Sequence, residues 1–200
     1  MNLSCPRQTD DEGTTLVELM VTMMLAVLIL LVAGTFATQM LGFSTVNTAR
    51  NANTAAAQTG MEYVTRALRS GDGTAFTSAT DSDAQFSTYA TTGGVAAAPV
   101  RIHFWVDTTG TPARLLQQTT NTSTGVSSPV RAIVTGWVAC TTSTGTPLPL
   151  FTYTNSAGAP VTTATSAGTA YVRVQLCAQP QTAARPAAVD ATVRLPNANL

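Results

Sequence analysis

The feature that most constrains this chain is an apolar run near its N-terminus. Leu19–Ala37 contains no charged residue, and the next charge after Glu18 is Arg50. An α-helix of nineteen residues spans about 28 Å, close to the roughly 30 Å hydrocarbon core of a bilayer. The run therefore predicts a helix that crosses a membrane once, at about residues 19–37.

A cleaved secretory signal is the competing interpretation of this run. Such a signal has an apolar region of about 7 to 15 residues, preceded by positive charge and followed by a cleavage site of small residues. Here the residues before the run include one basic residue, Arg7, and three acidic ones, Asp10, Asp11 and Glu12. The run is also longer than the apolar region of a secretory signal. The pattern favours a membrane-spanning helix.

Glu18 lies directly against the apolar run. A carboxylate costs on the order of 3 kcal/mol near the centre of a bilayer and less near its interface. One interpretation is that Glu18 marks the interfacial end of the helix and faces lipid headgroups. The other is that Glu18 has a specific partner.

The residues around Glu18 carry a resemblance to a known family. The run Gly13–Val21, GTTLVELMV, resembles the processing site of type IV pilins and type II secretion pseudopilins. The resemblance implies that prepilin peptidase removes residues 1–13 as a leader, and that Thr14 becomes the N-methylated first residue. Glu18 is then the fifth residue of the mature chain. The family most often has Phe in place of Thr14 and a basic leader in place of Asp11 and Glu12.

The resemblance also implies partners and a location. Because an unpaired buried charge is costly, Glu18 would pair with the N-terminal amine of a neighbouring subunit and act in assembly. The implied partners are prepilin peptidase, other pilin or pseudopilin subunits, an inner-membrane assembly platform and the lipid bilayer. The precursor would cross the inner (cytoplasmic) membrane once, with its globular domain outside the cytoplasm, and later join a cell-surface filament.

Helical periodicity continues past the apolar run. Apolar residues recur at spacings of four, three and four, which predicts an amphipathic stripe that rests on a globular domain: Ala57, Met61, Val64 and Leu68. The breakers of Ser70–Gly73 predict the end of the helix. A helix over residues 14–70 would be about 84 Å long, which is similar to the long N-terminal helix of pilins.

Residues 71–200 predict a β-rich domain. Pro99–Asp107 alternates apolar and polar residues as a half-buried strand does. Further strands are predicted at Ala113–Thr119, Val130–Val138, Ala170–Cys177 and Ala191–Leu195, with loops at Thr119–Ser128 and Thr154–Gly168. The expected fold class is therefore α+β and pilin-like, with a long N-terminal membrane-spanning helix packed on an antiparallel sheet.

Two further stretches are similar to one branch of the family. Met61–Ser70 and Val193–Asn197 resemble the J-type pseudopilins and related minor pilins. This similarity favours a minor over a major subunit.

The three cysteines divide between the proposed leader and the body. Cys5 would be removed, which leaves Cys140 and Cys177 outside the membrane, where disulfides persist. A bridge that closes about 38 residues would contribute roughly 3 to 4 kcal/mol. The alternative is two unbridged small side chains, because strand alternation places Cys177 on the same side as Arg173.

No catalytic or cofactor motif accompanies the polar residues of the body. His103 and Asp107 lack a recognisable nucleophile motif, so the chain is expected not to be an enzyme and to hold no cofactor or resident metal. A loop Ca²⁺ site is an alternative for three grouped carboxylates: Asp72, Asp81 and Asp83.

DNA is a weakly supported partner. Arg101, Arg131 and Arg173 fall on predicted strands and could contact phosphates, but ten basic and ten acidic residues give a net charge of zero.

Two functions remain: a minor pilin or pseudopilin, which is a structural filament subunit, and a membrane-anchored surface adhesion or binding module with an uncleaved helix. Cleavage between Gly13 and Thr14 distinguishes them.

Overall fold

The computed structural model describes residues 15–92, 95–161 and 169–196, and their architecture is α+β. One helix precedes antiparallel strands, which form two sheets. The elements are α1 Leu16–Ser70, β1 Gly71–Ala79, β2 Asp83–Thr92, β3 Val95–Asp107, β4 Arg114–Asn121, β5 Arg131–Thr135, β6 Trp137–Val138, β7 Phe151–Thr154, β8 Tyr171–Ala178 and β9 Ala187–Arg194.

The chain forms two compact units, Met1–Thr45 and Val46–Leu200. In the first unit, every described residue lies in or next to α1 and is exposed. In the second unit, the predicted stripe of α1 is confirmed, because its four apolar residues are at most 5% exposed: Ala57, Met61, Val64 and Leu68. Apolar burial of this kind is the main stabilising contribution to such a body.

The predicted end of α1 is also confirmed. The helix ends at Ser70, and β1 begins at the next residue without an intervening loop. The hydroxyl of Thr88 in β2 donates to the carbonyl of Ser70. This bond satisfies one of the carbonyls that a helix C-terminus leaves without an intrahelical partner.

The first sheet has the order β1-β2-β3-β4-β5. The alternation predicted for β3 is confirmed, since Val100, Ile102 and Phe104 are buried and the residues between them are half-buried. β4, at the place of the strand predicted over Ala113–Thr119, pairs with β3, and Arg114 lies opposite Asp107. In the connection, the Asp107 carboxylate accepts bonds from the hydroxyl and the backbone N–H of Thr109, which lower the pKa of Asp107.

β8 is the central strand of the second sheet. β9 pairs with it along one side, while β6 and β7 share the other side. The strand predicted over Ala170–Cys177 corresponds to β8, and one of its sides is buried, because Val172, Val174 and Leu176 are 0% exposed. These side chains join the core formed with α1 and the first sheet.

The strand predicted over Val130–Val138 is wrong as a single element. The chain divides it into β5 and β6 at Gly136, which has a φ of 75°. L-residues with a side chain rarely adopt this conformation. Gly136 therefore marks the place where the chain passes from the first sheet to the second.

Other boundaries also differ from the predictions. β9 begins four residues before the predicted Ala191, and β4 continues to Asn121 in the predicted loop. Three strands were not predicted: β1 and β2, in which small and polar residues predominate, and β7, which is only four residues long. Of the predicted loop Thr154–Gly168, residues 162–168 lie outside the described residues.

Two residues of α1 connect the helix to the sheets. Gly60 has no space for a side chain, because a Cβ there would lie 2.3 Å from Val134 Cγ2 and 2.9 Å from Leu176 Cδ2. Asn53 is fully buried, donates to the carbonyls of Gln181 and Arg185 and accepts from the N–H of Gln181. The helix thus holds the loop between β8 and β9 by polar bonds.

Candidate functional site

The exposed apolar segment of α1 is the candidate functional site. α1 is long and apolar enough to cross a membrane. Its large apolar side chains from Leu16 to Phe43 are roughly half to three-quarters exposed, for example Leu19 at 49% and Leu16 at 76%. Exposure of this extent in a soluble protein marks an interaction surface. The segment requires lipid or protein around it.

The threonines of this segment do not need an external hydrogen-bond partner. Each of four hydroxyls donates to the carbonyl three residues earlier, at 2.8–2.9 Å. The donors are Thr22, Thr35, Thr38 and Thr45. Unsatisfied polar groups are costly in hydrocarbon, so these bonds make the threonines compatible with a bilayer.

A shallow apolar groove follows one side of the segment. Ala33 and Ala37, one turn apart, provide small side chains between larger ones, and small residues let helices approach closely in membranes. The groove is lined by Leu28, Ile29, Val32, Ala33, Phe36, Ala37 and Met40.

Glu18 lies in the first turn of α1 and is exposed. Its backbone N–H donates to Thr15 Oγ1 at 3.4 Å. Thr15 and Glu18 thereby match the capping-box pattern, and an acid near a helix N-terminus interacts favourably with the helix dipole. The sequence analysis missed this local role, although the Thr-x-x-Glu spacing indicates it. Gly13, Thr14 and Cys5 lie outside the described residues.

The disulfide between Cys140 and Cys177 is present, which confirms the prediction. Their Cα atoms are 5.3 Å apart. Strand alternation does not fix the side of Cys140, because Cys140 lies two residues beyond Val138, the last residue of β6, and belongs to no strand. Val138 itself lies opposite Cys177 in β8. The bridge therefore joins the segment after β6 to the strand that β6 pairs with.

Removal of this bridge should destabilise the body. We expect Cys140→Ala with Cys177→Ala to lower the free energy of unfolding by about 3 to 4 kcal/mol, because the bridge constrains a long loop of the unfolded chain. Denaturant unfolding followed by tryptophan fluorescence measures the change, and Cys5→Ala serves as the control with no effect. Two readily alkylated thiols at these positions in protein purified from the cell envelope would contradict the bridge.

His103 is paired with a residue that the sequence analysis did not consider for it. Its Nε2 lies 2.6 Å from Asp83 Oδ2, and its ring stacks on Trp105 with centroids 4.5 Å apart. Asp107 is bonded to Thr109 instead. The structure therefore does not bring His103 and Asp107 together as a catalytic pair.

The three acidic residues considered for Ca²⁺ do not lie together along the backbone of the β1–β2 hairpin. Gly71 lies opposite Thr88 and Ala79 opposite Ala84, so the β1–β2 hairpin places Asp72 at the far end from Asp81 and Asp83. Within the described residues, no group of three His, Cys, Asp or Glu side chains could hold a metal ion.

A small pocket of about 230 Å³ lies beside the β1–β2 turn. Its lining includes Asp81, Pro149, Tyr153 and Pro160. Burial raises the pKa of the Tyr153 phenol, and the Asp83 and Asp81 carboxylates raise it further. The Tyr153 hydroxyl donates to the Asp83 carbonyl at 3.4 Å, so its role is to join the second sheet to the first.

The arginines considered for DNA do not share one element. Arg173 in β8 contacts the Asp190 carboxylate at 3.1 Å, and the Arg131 guanidinium lies 5.5 Å from the centre of the Tyr63 ring. Arg101 belongs to β3, in the other sheet from Arg173. Each side chain thus has its own surroundings.

Comparison of the chain with protein-family models, with curated proteins and with solved structures gives no match.

Proposed function

We propose that this chain is a minor pilin or pseudopilin. It is a structural subunit and not an enzyme, made as a single-pass inner-membrane precursor and cut by prepilin peptidase between Gly13 and Thr14. Related subunits and an assembly platform then incorporate it into a type IV pilus or type II secretion-type filament. The observation that carries the proposal is the exposed, uncharged segment of α1, which begins next to Glu18 and continues into the helix of the β-rich unit.

The exposed segment supports a role in two surroundings. In the precursor it is covered by lipid, and in a filament it is covered by the helices of other subunits. The groove around Ala33 and Ala37 provides a surface for close helix packing in either case. The α+β architecture with an N-terminal helix agrees with a pilin-like layout.

Glu18 is the assembly residue in this proposal. Cleavage after Gly13 creates an amine at Thr14, four residues before the Glu18 carboxylate. Within a bundle of apolar helices, a carboxylate without a partner is strongly unfavourable. The amine of a neighbouring subunit provides that partner and fixes the relative position of the two helices.

DNA contact is not part of the proposed function. The chain has zero net charge, and Arg173 is already paired with Asp190. A chain of zero net charge gives little of the electrostatic attraction on which phosphate binding depends.

A second candidate is a membrane-anchored adhesion or binding module with an uncut N-terminus. The bond from the Glu18 N–H to Thr15 favours it, because a capping role accounts for Glu18 without a neighbouring subunit. In that case α1 only tethers the β-rich unit to the membrane.

Processing at Gly13 distinguishes these candidates. We expect the chain purified from the cell envelope to lack its first 13 residues and to carry one added methyl group on Thr14, as measured by intact mass. Gly13→Leu should accumulate as the uncut precursor, because the peptidase has to approach the backbone closely at this position.

Gly34→Leu is the matched control for this experiment. Gly34 lies in the apolar segment with no atom within 4 Å of an added Cβ, so this variant should be processed normally. An intact N-terminus in the wild-type chain, or full processing of Gly13→Leu, would reject the pilin proposal in favour of the anchored module.

A further inference from the structure

β9 presents a long regular edge that the described part of the chain leaves open. All eight of its residues, Ala187–Arg194, pair with β8 without a register shift. Among the described residues, no other segment pairs with β9. Exposed edge strands of this length readily pair with another chain, and proteins usually protect them.

The other sheet edges are protected. β1 has two register shifts in its pairing with β2, and β5 has only five residues and a register shift in its pairing with β4. Other segments pair with the outer side of β7, because the Val161 N–H donates to the Tyr153 carbonyl and the Phe151 N–H donates to the Asp81 carbonyl. Bulges, short strands and covering segments are the usual ways to block an edge. Among the described residues, β9 has none of these protections.

The direction of the free backbone groups follows from β8. Gln175 N–H donates to Leu150, on the side of β7. Backbone groups alternate along an antiparallel strand, so Val174 and Leu176 bond towards β9, where Ala191 and Val189 lie opposite them. The N–H and C=O groups that point away from β8 are therefore those of Ala188, Asp190, Thr192 and Arg194.

The side chains of this edge are complementary to themselves. If Thr192 lies opposite Thr192 of an antiparallel second copy, Asp190 of each copy lies opposite Arg194 of the other. Asp190 is 62% exposed beside Arg173, and Arg194 makes no ion pair with a described residue. Opposite charges that face each other across strands are favourable, and like charges are not. A register centred on Asp190 would instead place the Asp190 carboxylates of the two copies opposite each other, which is unfavourable.

The other side of the strand is complementary as well. The same register places Ala191 opposite Val193 and Val189 opposite Leu195. Val189 and Ala191 are only half-buried, although they face the core side of the sheet. A strand added at this edge would cover them.

From this edge we propose that β9 pairs with β9 of a second copy of this chain, antiparallel and centred on Thr192. The two-fold axis of such a pair is perpendicular to the sheet, and the pairing is independent of the processing proposed above.

Cysteine cross-linking tests the register on the full-length chain in detergent. In a Cys5→Ser background, we expect Thr192→Cys to form a disulfide-linked dimer on mild oxidation. Opposed residues of a hydrogen-bonded pair have Cα atoms about 5.5 Å apart, within disulfide range. Ala188→Cys is the matched control, since its Cα would lie about 27 Å from its counterpart. Its dimer yield should be at least about tenfold lower. Equal yields, or no dimer from Thr192→Cys, would overturn the proposal.

An exchange of charges between Asp190 and Arg194 tests whether the strand that pairs with β9 is β9 of a second copy. Arg194→Asp and Asp190→Arg, each in the Thr192→Cys background, should each cross-link with itself about tenfold less, because each variant opposes like charges. A mixture of the two variants with different mass tags restores both opposite-charge pairs and should recover the mixed dimer. Both substitutions are at exposed positions, and circular dichroism verifies folding. A mixture that cross-links no better than either variant alone would show that β9 does not pair with itself.

Discussion

Replacing Gly136 with alanine is expected to lower the free energy of unfolding of the β-rich unit by about 3 kcal/mol or more. Gly136 has a φ of 75°, and an added Cβ would lie 2.6 Å from both Cα and N of Pro180. The backbone there cannot shift easily, because the Gly136 N–H donates to the Ala113 carbonyl and the Gly136 carbonyl accepts from the Gln179 N–H. Relief of the clash would therefore break bonds at the connection between the two sheets.

Gly125→Ala is the matched control for this prediction. Gly125 has a φ of 70°, but no atom lies within 4 Å of an added Cβ. Only the backbone conformation is penalised, so a loss of about 1 kcal/mol is expected. Denaturant unfolding of both variants, followed by tryptophan fluorescence, measures the difference. Equal losses would show that the Pro180 contact is not limiting.

Glu18→Gln is expected to prevent incorporation into filaments while leaving processing and the β-rich unit intact. Glutamine retains the side-chain group that a capping box requires but carries no charge. In the proposed filament the substitution leaves the amine of a neighbouring Thr14 without its partner. Loss of one member of a buried pair costs about 3–5 kcal/mol, which corresponds to a loss of incorporation of more than about a hundredfold.

Thr15→Ala separates capping from assembly. It removes the acceptor for the Glu18 N–H but retains the carboxylate. A lost N-cap costs about 1 kcal/mol, so incorporation should change far less than with Glu18→Gln. Quantification of the protein in sheared filaments and in the membrane fraction provides the measurement. If Glu18→Gln enters filaments at the wild-type level, Glu18 acts only at its own helix terminus.

The helix and its buried stripe were predictable from the sequence because each leaves a periodic apolar signal. The run after Glu18 and the recurrence from Ala57 to Leu68 specify α1 and the side that it buries. β3 and β8 were predictable for the same reason, since large apolar residues alternate in both. β1 and β2 were not, because small and polar residues predominate in both, and their strand structure depends on the pairing of β2 with β3 and of β1 with β2.

Contacts distant in sequence account for the remaining differences. The Cys140–Cys177 bridge depends on a departure of the chain from β6, which alternation cannot predict. The pairing of His103 with Asp83 depends on the β2–β3 register, in which Gln85 lies opposite His103. The capping role of Thr15 is the exception, because the local Thr-x-x-Glu spacing alone indicates it.

The hydrogen bonds that the α1 threonines make within the helix affect its transfer between surroundings. When a membrane helix leaves lipid for a protein bundle, hydroxyls on its surface usually have to exchange one partner for another. The acceptors of the Thr22, Thr35 and Thr38 hydroxyls are backbone carbonyls of α1 itself, so these hydroxyls keep the same partners in lipid and in a protein bundle. For these side chains the two surroundings differ only in how well the neighbouring atoms pack. The hydrogen bonds of these threonines therefore do not oppose transfer of α1 between lipid and a protein bundle.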